Sequence, residues 1–223
     1  MVQARVEDLA LDNGKLYVAG KFSGFSQSGA ALKSHATISD SSSGLPIGPD
    51  FNPGTTVSNA IPDGSGGWYV WGSFTAFRGV PRNRAVRIDA SGNVLSWDPK
   101  LDRSGSSTWF SVLAMEKVGN TVYIGGSFDL AGGQVRRGIC AVDATSGNLL
   151  SFNPNAISTA TVSPNPSAGS VYAIEVVGNS AYIGGTFRNV GGQERQRAAK
   201  VNATTGAVMA WDPYASSTVR SIV

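Results

Sequence analysis

Short apolar runs alternate along the chain with punctuation rich in Gly, Ser and Asp or Asn, and no long stretch keeps the 3.6-residue period of an amphipathic helix. One apolar phrase recurs. "KLYVAGKF" at 15–22, "GWYVWGSF" at 67–74, "TVYIGGSF" at 121–128 and "SAYIGGTF" at 180–187 share a tyrosine (Tyr17, Tyr69, Tyr123, Tyr182) and a closing phenylalanine (Phe22, Phe74, Phe128, Phe187). Some 23–29 residues further on stands an aromatic followed by Asn or Asp and then Pro: "FNP" at 51–53, "WDP" at 97–99, "FNP" at 152–154 and "WDP" at 211–213. The tyrosines are 52–59 residues apart, a period suited to propeller blades.

Each copy parses into four short strands. In the third they are 111–116, 121–128, 138–144 and 148–152, with the first pair joined at "VGN" and the second at "ATSG". The last turn reads "DASGN", "DATSGN" and "NATTGA" in copies two to four, where Asp or Asn can hold the backbone two residues on and Gly supplies a positive φ. The expected fold is all-β: a β-propeller of four-stranded antiparallel blades, at about 6–56, 57–109, 110–170 and 171–218, as a single array over 1–223. "VRSIV" at 219–223 matches the opening strand of a repeat, so the count is four repeats plus the first strand of a fifth. That predicts a partial propeller, or a protomer whose open edge is paired by another copy.

The repeated residues have structural roles to fill. Glycines in "YIGG" let neighbouring sheets approach. Trp97 and Trp211 are expected as apolar plates between blades, and the following Pro ends the strand.

The phrases "GNTVYIGGSF", "GG…R", "DATSG" and "WDP" together resemble the bacterial delta-sixty-repeat β-propeller family, over about residues 6–218. The first copy departs from that pattern, with extra residues and no Asp-Ala-Thr-Gly turn. "DATSG…F" and "NATTG…W" are also similar, more weakly, to quinoprotein-like propeller repeats, which implies blade packing and not a quinone site. The family is mostly known as a domain of unknown function in large secreted or surface proteins. The resemblance therefore implies an extracellular or cell-surface location.

Composition narrows the chemistry. Of 223 residues 15% are charged, the formal charge is +3, and no run of Lys or Arg exceeds two, which argues against nucleic-acid binding. No apolar stretch is long enough to insert in a membrane, and "MVQARVEDLALDNG" lacks a signal-peptide core. His35 is the only histidine and sits in the divergent first copy, so a Ser–His–Asp site finds little support. Cys140 reads as a small buried residue. No cofactor is expected and no metal motif is present; a Ca²⁺ ion at the turns 12–14 or 62–67 stays open. Glu7, Asp8, Glu116 and Glu175 lie on or beside first strands, where paired channel carboxylates could serve an enzyme acting on polysaccharide.

Two features stand out as candidate ligand sites. A basic pair follows each "GG" loop: Arg82 and Arg84, Arg136 and Arg137, Arg195 and Arg197, with Lys33 and His35 near that place in the first copy. The pairs read either as an arc for acidic glycans or protein carboxylates, or as pins between blades. Trp71 stands where the other copies have Ala19, Gly125 and Gly184, and with Trp68 and Trp109 it gathers aromatic residues around the second copy; it reads either as indole filling a locally wider gap or as part of a sugar- or partner-contacting patch. "NAT" at 202–204 matches a glycosylation acceptor. The leading expectation is a non-enzymatic binding or structural module with a glycan or protein partner. The polysaccharide enzyme and an assembly subunit pairing through open blade edges are the alternatives.

Overall fold

The computed structural model describes residues 5–22, 36–48, 56–104, 109–159 and 166–223, and among them there is no helix. The chain divides into two compact units, Met1–Asp98 and Pro99–Val223. In the first unit, β1 (Arg5–Asp12), β2 (Lys15–Lys21) and β3 (Ala36–Asp40) form one antiparallel sheet. The second repeat follows with β4 (Val57–Pro62), β5 (Trp68–Gly72), a small ladder of β6 (Ala76–Phe77) and β7 (Val80–Pro81), and then β8 (Ala85–Ile88) paired to β5.

The second unit repeats the plan. β9 (Val112–Val118), β10 (Thr121–Gly126) and β13 (Ile139–Asp143) form one sheet, with the ladder β11 (Leu130–Ala131) and β12 (Gln134–Val135) between the last two. Next come β14 (Ala156–Ile157), β15 (Val171–Val177), β16 (Ser180–Gly185), the ladder β17 (Asn189–Val190) and β18 (Gln193–Glu194), and β19 (Ala198–Asn202). β15, β16 and β19 pair as a sheet, while β14 joins the ladder of the following repeat.

The expected fourth strand is shorter than the pattern suggested. In each copy it meets the third strand through one bridge: Ser39–Pro46, Ile88–Val94, Val142–Leu149 and Val201–Val208. In the third copy Asp143 N–H donates to Asn148 at 2.9 Å and Leu150 N–H to Ala141 at 2.9 Å, and then the chain leaves. It leaves because the aromatic that follows turns edge-on to its own repeat's tyrosine. Tyr69–Trp97, Tyr123–Phe152 and Tyr182–Trp211 lie 5.1–5.5 Å apart at 68–88°. The plates thus begin as partners within a repeat. In the second unit Tyr123 Oη also donates to the Ala203 carbonyl of the following repeat at 2.9 Å, so the ring pair carries the link onward.

The Asp/Asn turn appears as expected in copies two to four, and in the first copy as well. Asp89, Asp143 and Asn202 accept from the N–H groups that follow, and Asp40 does the same for Ser42 at 3.1 Å and Ser43 at 2.8 Å. "DSSSG" lacks the Ala-Thr letters but keeps the acceptor and a closing glycine, Gly44, at φ +70°. The turn needs only those two.

The two glycines of "GG" have different roles. At the first position, a Cβ on Gly125 would meet Val171 and Ile174 side chains of β15 at 3.0 and 3.1 Å, which is the close approach between repeats that the sequence suggested. The second position answers to a bulge within its own sheet. Each first strand carries one extra residue against its partner (Glu7, Ser58, Leu113, Tyr172). The bulge presses a carbonyl, from Arg5, Thr56, Ser111 or Ser170, onto Gly20, Gly72, Gly126 or Gly185, where any Cβ would lie well inside 3.0 Å.

Each unit has its own core. In the first, Tyr17, Trp68, Val70, Phe74, Phe77 and Ile88 are buried together; in the second, Ile139, Phe152, Val171, Ile183, Phe187 and Val201 are.

Candidate functional site

The repeated arginines are mostly tied to backbone. Arg82 donates to the Pro81 and Leu95 carbonyls at 2.8 and 2.7 Å, Arg136 to Val135 and Leu150 at 2.9 and 3.3 Å, and Arg195 to Glu194 and Met209 at 2.8 and 3.2 Å. One geometry recurs three times: the guanidinium clamps its own strand end to the segment that returns from the Asp/Asn turn. Each is also deeply set, with an Nε that is buried and makes no hydrogen bond.

The second arginines do not share one register. Arg84 N–H donates to Phe74, Gly138 N–H to Phe128 and Arg197 N–H to Phe187, so Gly138 is the counterpart of Arg84 and Arg197. All three sit at positive φ, from +64° to +73°. Arg84 uses that backbone to reach the Ser73 carbonyl, and Arg197 reaches Ala215 at 3.0 Å. Arg137 stands one residue earlier, in the place of Asn83 and Gln196. The pairing of Arg136 with Arg137 in the sequence therefore hides a shift. Glycine takes the left-handed position in the third repeat because backbone from Gly169 crowds it, and the basic residue moves to a different face.

Arg137 is held by a single side-chain bond, Nε to the Pro166 carbonyl at 2.9 Å, while its N–H donates to Asn155 Oδ1 at 3.2 Å. Its two Nη groups make no hydrogen bond among the described residues. Arg137 lines a cavity of about 150 Å³ within the second unit, together with Asn155, Ile157, Pro166, Asn189, Gly191 and Gly192. β14 supplies Ile157 and the β17–β18 turn supplies the glycines, at φ +57° and +83°. Buried Asn189 fixes that turn by accepting from Gly192 N–H at 3.0 Å. The lining thus combines apolar side chains, polar amide groups and one guanidinium.

Of the two readings of Trp71, the structure shows the filled gap. Trp71 is buried along with every other residue of β5, and Trp68 packs against Tyr17 at 5.5 Å. The bulk at the glycine position is accommodated inside the protein. Trp109, by contrast, is 78% exposed, with its carbonyl accepting from Arg103 at 3.0 Å. Its sequence gave no sign separating it from its neighbours.

The remaining candidates resolve simply. Burial pushes the Cys140 thiol up to about 12, far from a reactive thiolate. Asp63, in the turn at 62–67, is drawn upward by burial. The Ser65 and Gly67 N–H groups and the Arg87 guanidinium at 2.8 Å outweigh this and hold it below the usual carboxylate range. That turn binds its own arginine. Among the described residues no three His, Cys, Asp or Glu side chains gather as a metal site. His35 and Lys33 lie outside the described residues. Asn202 of the "NAT" sequence accepts from Thr204 and Thr205 N–H groups, so its carbonyl belongs to the turn.

Of the first-strand carboxylates, Glu7 pairs with Arg5, and Asp8 accepts from Ala60 N–H at 3.4 Å. Glu116 Oε1 accepts from Val176 N–H at 3.1 Å, while Oε2 is buried without a partner. Burial and the charge of Glu175 raise the Glu116 carboxyl, against the pull of that N–H. Asp8 and Glu116 therefore each join the first strands of successive repeats.

No family model matches the chain, and no curated protein matches it. Among solved structures it is similar to the computationally designed Ika8 protein, with a TM-score of 0.55 and 10% identity over 96% of this chain. The chain spans 50% of that protein's length. The designed Ika4 protein is more distant, at a TM-score of 0.49 and 14% identity, covering 82% of this chain and 86% of its own. An extracellular domain of a one-component system protein from B. thetaiotaomicron aligns at a TM-score of 0.41 and 11% identity, over 91% of this chain and 28% of that one. The Ika8 likeness speaks to fold alone. No helix among the described residues is long and apolar enough to cross a membrane.

Proposed function

We propose that this chain is a non-enzymatic recognition module, a propeller-type array acting outside the cell, that holds an acidic end group of a glycan or protein at Arg137. The observation that carries the reading is the contrast among the arginines. Those that recur in register have their Nη groups on backbone carbonyls, whereas Arg137 breaks register and borders a cavity with both Nη groups available. A guanidinium fork suits a carboxylate, and Ile157 and Pro166 offer an apolar wall to the carbon skeleton beside it. Whole small-molecule sites measure roughly 300–1,000 Å³. A cavity half the lower bound suits one carboxylate-bearing sugar or side chain at the end of a longer ligand. The low charge and the Gly/Ser/Thr-rich hairpins support an exported setting.

The test is titration with uronic-acid oligosaccharides and acidic peptides, followed by calorimetry or amide shifts. Arg137→Ala is expected to weaken binding at least about tenfold, equivalent to about 1.4 kcal/mol. Arg136→Ala is expected to lower melting temperature and leave affinity nearly unchanged. Binding that survives Arg137→Ala, or no binding to any acidic ligand, sinks the reading.

A further inference from the structure

Arg137 has a second polar neighbour in its cavity. Asn155 lines the same space, and its Oδ1 accepts the Arg137 N–H at 3.2 Å. That bond fixes which way the amide lies and makes Nδ2 the donor on its other side. Nδ2 makes no hydrogen bond among the described residues. The backbone does not require asparagine here. Lys100 and Tyr214 hold the same place after Pro99 and Pro213, at φ +48° and +49° against +48° for Asn155. In the fourth copy the two places are bonded to each other, Gln196 Nε2 to Tyr214 Oη at 2.9 Å. In the third, Arg137 and Asn155 both keep side-chain donors unspent.

The other lining groups divide by what they can still offer. Arg137 Nε is taken by the Pro166 carbonyl at 2.9 Å, leaving the two Nη groups to meet an anion. The β17–β18 ladder pairs Asn189 with Glu194 and Val190 with Gln193, so Gly191 and Gly192 form the turn between them. Their N–H groups are spent on the Pro154 carbonyl at 2.6 Å and on Asn189 Oδ1 at 3.0 Å. Having no side chains, these glycines can offer a ligand only their carbonyl oxygens. A matching ligand carries an anion, a further acceptor beside it, and hydroxyls to donate.

We infer that Asn155 selects the ligand, and that the acidic end group is a cyclic sugar acid of a glycan, as in a hexuronic acid residue. The two Nη groups take the carboxylate oxygens, and Asn155 Nδ2 donates to the ring oxygen of the sugar. The Gly191 and Gly192 carbonyls accept from its hydroxyls. The inference rests on the anion site proposed at Arg137. In such a sugar the carbon that bears the carboxylate also bears the ring oxygen, so a third acceptor stands where Asn155 needs one. In an Asp or Glu side chain that carbon is a methylene. At a peptide C-terminus it bears an amide N–H, which would set donor against donor at Asn155. A sulfate ester has enough oxygens, but its bridging oxygen holds the sugar one bond further from Ile157 and Pro166.

The experiment titrates the full chain with two small acids and reads amide shifts. Tetrahydropyran-2-carboxylate and cyclohexanecarboxylate differ only by the ring oxygen. The wild type is expected to bind the first at least about tenfold more tightly, although the second is the more apolar. Methyl glucuronide is expected to bind more tightly still, through its hydroxyls. Asn155→Gly suits the left-handed backbone and is expected to erase the preference while both acids still bind. Should that variant not fold, the wild-type comparison decides alone. Equal binding of the two acids by the wild type would overturn the inference. So would a preference that survives Asn155→Gly, methyl glucuronide binding more weakly than either acid, or an acidic peptide or sulfated sugar binding more tightly than methyl glucuronide. Arg137→Ala separates this inference from the reading beneath it. If neither acid binds the wild type, or both still bind Arg137→Ala, the anion site itself falls. If Arg137→Ala releases both and the wild type does not tell them apart, only the choice of ligand falls.

Discussion

β1 and β15 are the same strand in two settings. Both set a valine opposite a glycine of the partner strand, Gly20 or Gly185, carry one bulged residue after it, and present an aliphatic side chain three positions on. In β15 that pair fills the space over Gly125; in β1 it faces solvent. Conformation is therefore set within each repeat, by the bulge, its glycine and the Asn-Gly or Gly-Asn turn. Burial is set by the neighbouring repeat. A repeat array separates these two contributions in a way a single globular core does not.

The sharpest way to break the comparison is to remove what both strands share. Gly185→Ala drives a methyl into the Ser170 carbonyl, and Gly20→Ala does the same at Arg5. Neither has a flexible side chain that could yield, so each is expected to cost about 4 kcal/mol or more, in the range of exceptional single substitutions. Chemical denaturation checks this. A milder loss at either glycine would mean that the bulge can relax and does not fix the strand.

The next effect separates the settings. Ile174→Ala is expected to cost about 2–5 kcal/mol, because it leaves a void over Gly125. Leu9→Ala is expected to stay within about 0.5 kcal/mol. Trp97→Ala against Trp211→Ala should show the same ordering, since only the first indole is enclosed. Equal losses in both pairs would show that exposure of β1 and Trp211 is not their state in solution.

What the sequence made legible follows the same division. The repeat, the strand phrases and the Asp/Asn turns are local and were readable, because a recurring apolar phrase and a Gly-terminated turn leave marks in the letters. The return strand was overestimated. "NLLSF" has strand-like letters, but Phe152 is drawn onto Tyr123 and ends the ladder after one bridge. Trp71 was left between two readings for a non-local reason: the letters show bulk where glycine is usual, and only packing shows that it is enclosed. The Arg136–Arg137 pair looked like its counterparts, since a one-residue shift around Gly138 is invisible without the hydrogen-bond register. Letters located the arginines; backbone geometry sorted them.

The smallest expected effect concerns how first strands are joined in the two units. In the first unit Asp8 reaches Ala60 N–H, and in the second Glu116 reaches Val176 N–H. The Glu116 carboxyl is raised, by burial first and the Glu175 charge second. A carboxyl whose folded pKa lies above its unfolded value binds more protons in the folded state between the two. Its contribution is then fully present below the ordinary glutamate range and is lost as pH rises through the folded value. Glutamine keeps an oxygen for Val176 N–H and has no charge to lose. Glu116→Gln should match the wild type in acid and become the more stable of the two above the glutamate range. Melting temperatures of both proteins from acid to neutral pH would show the curves separating in that direction. If the wild type instead gains on the variant as pH rises, the ionised Glu116 strengthens the link to Val176 more than burial and Glu175 oppose it, and the two units join their strands by the same charged bond.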